Sequence, residues 1–130
     1  MGDETKEVPE SETFSPTTFN LESTMETVMD SESLFRQIAE MLIDHCPDHI
    51  DKIKAAITDN NSGALEREAH SLKGAVGNFG ADDAYEAAYH LEKMGKNGEM
   101  ALAGQGLSNL ESVLAELISE MKIVLRRMSG

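Results

Sequence analysis

The chain has 130 residues, 40% of them hydrophobic, with 24 Asp and Glu against 11 Lys and Arg for a formal net charge of −13. That length suits a single domain with its own core, and the negative field repels nucleic-acid phosphates and anionic headgroups, so the expected partners are proteins. No apolar run is long enough to span a membrane and no signal peptide opens the chain, so the expected location is the cytoplasm.

Few aromatics, no Trp and eight Met, with abundant Ala, Leu and Glu, favour helix over sheet. Residues 1–18 are acidic and rich in Ser, Thr and Pro, the composition of a disordered tail or linker, and the domain is expected to occupy 19–130. A short helix is predicted from an Asn20 cap to Met29, with Leu21, Met25 and Val28 on one side. A second starts at the Asp30/Ser31 cap and carries Leu34, Ile38, Met41, Leu42, Cys46, Ile50, Ile53 and Ile57. Pro47 predicts a kink or break inside it, and the turn residues Asp59 to Gly63 end it. A third covers about 63–79 and stops at Gly80. A fourth covers about 82–94 and stops at Gly95 and Gly98. The last runs from Leu102 or Ser108 to Arg127. No segment alternates like a strand, so the expected fold is all-α: an antiparallel four-helix bundle with a short extra N-terminal helix.

The third helix carries the chemistry. At roughly 100° per residue, Leu65, Ala69, Leu72, Val76 and Phe79 form one core stripe, and His70 lies roughly 140° from it, facing water. Gly74 and Gly77 share the exposed side. Glycine inside a helix costs about 0.5–1 kcal/mol relative to alanine, so two beside one histidine suggest a face cleared for a bulky approach. Lys73, three residues on, can reach an anion placed on the imidazole.

The run Ala69-His70-Ser71-Leu72-Lys73-Gly74-Ala75, followed by Asn78-Phe79-Gly80, resembles the signature of histidine-containing phosphotransfer (HPt) domains of two-component phosphorelays. The resemblance extends over residues 19–127. It implies a four-helix bundle whose histidine takes a phosphoryl group from an aspartyl phosphate on a receiver domain and passes it to another receiver. It also implies a Gln or Glu on the next helix that holds the ring nitrogen left unphosphorylated. Without gaps that position is Glu92, and His70 and Glu92 lie equally far from residue 81, at the turn of the helical hairpin.

On this basis His70 is the expected phosphoacceptor, Glu92 orients the imidazole and Lys73 neutralises the phosphate. Gly74, Gly77, Arg67, Lys96 and Tyr89 form the expected partner surface. Partners would be response-regulator receiver domains and a sensor histidine kinase, hybrid or not, meeting a monomer. No metal site and no cofactor of its own are expected. Mg²⁺ would come with the receiver, and without a Gly-rich phosphate loop the protein is a phosphocarrier rather than an ATP-using enzyme. Two other functions fit parts of the pattern. The phosphoacceptor helix pair of a histidine kinase usually follows its histidine with an acid and then a Thr/Asn-Pro, absent here. A docking bundle that carries no phosphate would not need His70, Lys73 and Gly74 together. His45 and His49, at i and i+4, lack further metal ligands, and the lone Cys46 is expected to be a buried thiol.

Overall fold

The computed structural model describes residues 15–129, and the first three helices among them start behind side-chain caps. Helix α1 spans Leu21–Thr27, with the Asn20 side chain accepting from the Ser23 amide at 2.9 Å. Helix α2 spans Glu32–Thr58 behind Ser31, and α3 spans Ser62–Gly77 behind Asn61. Helix α4 spans Asp82–Asn97, a single 3-10 turn covers Met100–Leu102, and α5 spans Ala103–Ser129. Gly80 and Gly98 take left-handed φ angles of 62° and 71° after α3 and α4. Beside Gly80 the Ala81 amide reaches back to the Val76 carbonyl, the bond pattern that closes a helix end.

The four long helices pack in a ring, α2 on α3, α3 on α4, α4 on α5 and α5 back on α2, with α1 resting against α2. This is the expected all-α bundle. Its interior holds Phe35, Ile53, Leu65, Leu72, Leu91, Leu110, Leu117 and Met121, all fully buried. Phe19, Phe35 and Phe79 pack against one another with ring centroids 6.2–6.4 Å apart, and the Asn20 amide bonds the Phe79 carbonyl. The entry to α1 is thereby tied to the α3–α4 turn.

Two expected helix breaks do not occur. Helix α2 continues through Pro47 without a break, with the proline on its exposed side. Helix α4 does not stop at Gly95. That residue is buried in the last turn of the helix, and a Cβ added there would lie 2.6 Å from the Glu66 nitrogen and 2.8 Å from the Ser62 oxygen. Gly95 therefore lets the α4 backbone press against that of α3, a close approach that the small Ala84, Ala87 and Ala88 extend along the same seam.

Residues 1–14, most of the expected tail, lie outside the described residues. The expected disorder does not extend to residues 17 and 18, which are strapped to α5. Thr17 and Thr18 each donate a backbone N–H and a hydroxyl to the Glu120 carboxylate, at 2.7–3.1 Å.

Candidate functional site

His70 sits in the middle of α3, and its side chain is 67% exposed. A Cβ added at Gly74, one turn further on, would meet nothing within 4 Å, so the approach to the ring from that side is open space. The tight α3–α4 seam brings Glu92 to the same height. Its Oε2 lies 3.0 Å from Nδ1 of His70, and among the described residues none hydrogen-bonds Nε2.

Glu92 also holds Lys73. The ammonium lies 2.8 Å from Oε1, with both side chains more than four-fifths buried. The contact is an ion pair more than an aligned hydrogen bond, since Oε1 has no hydrogen-bond partner of good geometry. Burial acts to raise the Glu92 pKa, but the contacts and charges of Lys73 and His70 outweigh it and the carboxyl ends below its ordinary value. The same contact with Glu92 raises the pKa of Lys73 against the opposing effect of burial. Glu92 is thus a carboxylate, and Lys73 an ammonium, across the physiological range.

Other residues expected at the site are placed less directly. The Lys73 ammonium lies 4.9 Å from the Tyr89 ring centroid and 5.7 Å from that of Tyr85. The space over Gly77 is filled from within: a Cβ there would meet the Tyr85 ring at 3.3 Å. Arg67 is turned away from the imidazole, its guanidinium near Gly63 in the first turn of α3. Lys96 is exposed, one turn beyond Glu92 on α4. The pairing of Lys73 with Glu92 was not foreseen, although the Tyr85–Tyr89 spacing of i, i+4 on the flank facing α3 signals a shared ring surface.

On the opposite side of His70 an apolar groove of about 430 Å³ runs between α2 and α3. Leu34, Ile38, Met41, His45, Ala75 and Asn78 line part of it. Cys46 is buried, and burial pushes its thiol up to about 11. Among the described residues no three His, Cys, Asp or Glu side chains are grouped to hold a metal ion, and no helix is long and apolar enough to cross a membrane.

The family model of the Hpt domain matches residues 37–122, more than half of the chain. Among solved structures, the histidine-containing phosphotransfer protein B (HptB) of Pseudomonas aeruginosa PAO1 is similar, with a TM-score of 0.81 and 20% sequence identity over 87% of this chain and 98% of that one. That likeness is one of fold. No curated protein matches the chain.

Proposed function

This chain belongs to the Hpt domain family, whose members carry phosphoryl groups on histidine in phosphorelays, and from that premise we propose that His70 takes the group from a receiver domain's aspartyl phosphate and hands it to the aspartate of another receiver. The observation that carries this reading is an exposed imidazole engaged at Nδ1 and unengaged at Nε2, beside the opening at Gly74. With Nδ1–H donating to Glu92, the lone pair of the neutral ring lies on Nε2. Nε2 attacks phosphorus as the acyl phosphate P–O bond breaks, the aspartate leaves as a carboxylate, and the ring keeps the Nδ1 proton as it becomes positively charged. Glu92 faces that new charge directly. The reverse step delivers the group to the second receiver.

Both Glu92 oxygens are already engaged by His70 and Lys73, so the carboxylate nearest the imidazole is poorly suited to hold a divalent cation. We therefore assign Mg²⁺ to the receiver, where it would neutralise charge on the transferring group. The groove lined by Ala75 and Asn78, on the same helix as His70, offers a docking partner apolar surface. The reading places a monomer in the cytoplasm, between a sensor kinase and its response regulator.

Incubation with phosphorylated receiver domains tests it. Acid-labile, base-stable label should appear on the protein and be absent from His70→Gln, which should fold normally. Undiminished labelling of that variant rules the reading out. Gly74→Leu should fold and accept phosphate at least about tenfold more slowly, because a side chain in the opening holds the phosphorus away from Nε2.

A further inference from the structure

The sequence offers Lys73 as a ligand for the phosphoryl group, yet its ammonium is engaged elsewhere in the resting protein. It is 2.8 Å from Glu92 Oε1 and within cation–π range of two tyrosine rings on α4, 4.9 Å from the centroid of Tyr89 and 5.7 Å from that of Tyr85. The two rings lie side by side, with centroids 6.5 Å apart and planes tilted by 40°. Tyr89 also carries the ammonium of Lys93 at 4.6 Å.

The seat is supported from below. Tyr85 lies against α3 where Gly77 has no side chain, and its Cδ2 is 3.3 Å from where a Cβ would stand. A methyl group there would push against the ring. The contacts form one series: Gly77 admits Tyr85, Tyr85 and Tyr89 receive Lys73, Lys73 grips one oxygen of Glu92, and the other oxygen meets Nδ1 of His70. A glutamate has three side-chain torsions, and a single contact to an exposed imidazole does not fix them. The second contact, on a lysine itself confined, does.

We propose that Tyr85 and Tyr89 are positioning residues for the phosphoacceptor: their rings seat Lys73 against Glu92, so that Glu92 keeps the proton on Nδ1 and leaves Nε2 as the nucleophile. The proposal rests on His70 being the phosphoacceptor. Lys73 acts on the reaction through Glu92, and Gly77 serves the seat instead of clearing the surface for a partner. Tyrosine hydroxyls have no part in this. Ring faces are what the ammonium meets, so phenylalanine replaces tyrosine and leucine does not.

The test reads the His70 ring nitrogens by ¹⁵N NMR at fixed pH in the full-length protein, alongside the rate of phosphate acceptance from a phosphorylated receiver. Tyr85→Leu combined with Tyr89→Leu should convert a predominantly Nδ1–H ring into a mixture of tautomers and slow acceptance about threefold to tenfold. The corresponding double Phe variant should restore both readouts. Lys73→Met should reproduce the tautomer change from the other side of the contact, and it also serves should the Leu pair fold poorly. An unaltered tautomer in Lys73→Met with slowed transfer would show Lys73 working on the phosphoryl group and overturn the proposal. Phe variants as impaired as Leu variants would overturn it as well. If the wild-type protein accepts no phosphate at all, the phosphotransfer reading fails, while the NMR measurement still decides whether the rings position the imidazole.

Discussion

Glu92 on α4 and Glu120 on α5 are partly buried carboxylates that gather donors from another segment of the chain, and in each burial works to raise the pKa while the contacts win and lower it. They differ in the donors. Glu120 takes two backbone amides and two hydroxyls from Thr17 and Thr18, all neutral and none able to titrate in the physiological range. Glu92 takes a lysine and a histidine, one charged and one able to become so. The first arrangement fixes a strap whatever the state of the protein. The second answers a change of charge on its partner without having to move.

The sharpest way to break this contrast is to remove each carboxylate in turn. Glu92→Ala should slow phosphate acceptance by about 10–100-fold, by analogy with the loss when a carboxylate that orients a metal-bound histidine is removed, and shift the urea midpoint little. Glu120→Ala should leave transfer at the wild-type rate. If it slowed transfer comparably, strap and site would be one coupled unit and the contrast would fall. Its own effect should be a loss of about 1–2 kcal/mol in urea denaturation, since the freed threonine groups regain water.

Acid sharpens the comparison further. Both carboxyls lie below the ordinary value of 4.5 in the folded protein, so their contribution is complete above that value and is lost as pH falls through the lowered one. Stability should hold steady from pH 7 to 5 in this respect and decline at lower pH. Glu120→Gln should flatten part of that decline by less than about 1 kcal/mol. The smallest effect is read at Cys46. With its thiol pushed up to about 11, only about one molecule in a thousand is a thiolate at pH 8, so alkylation of the native state is slow and tracks opening. Glu120→Ala should quicken it measurably and Glu92→Ala should not.

What the sequence made legible was what local rules govern. The caps at Asn20 and Ser31 and the turn at Gly80 follow from single side chains and a left-handed φ. The meeting of His70 with Glu92 is what the family resemblance implies, and helical rise counted back and forth across a short turn agrees with it. Gly95 was misread as a stop because a glycine shortly before Gly98 satisfies the local rule for one. Only the backbone across the seam shows why a side chain is missing there. At Pro47 the local rule allows a kink or a break, and the helix runs on unbroken. The Glu120 strap joins residues about a hundred positions apart and has no local signal. The choice Lys73 makes depended on two rings from another helix.

The Gly95 contact has a consequence for the breathing of the molecule. The two atoms it crowds, the Glu66 nitrogen and the Ser62 oxygen, are the i and i−4 partners of the first turn of α3. Opening turns at a helix start ordinarily fray, and their amides exchange with solvent early. Here the neighbouring backbone lies over that hydrogen bond like a lid. The Glu66 amide should exchange as slowly as amides in mid-helix, and the clock that times its exchange should be separation of α3 from α4.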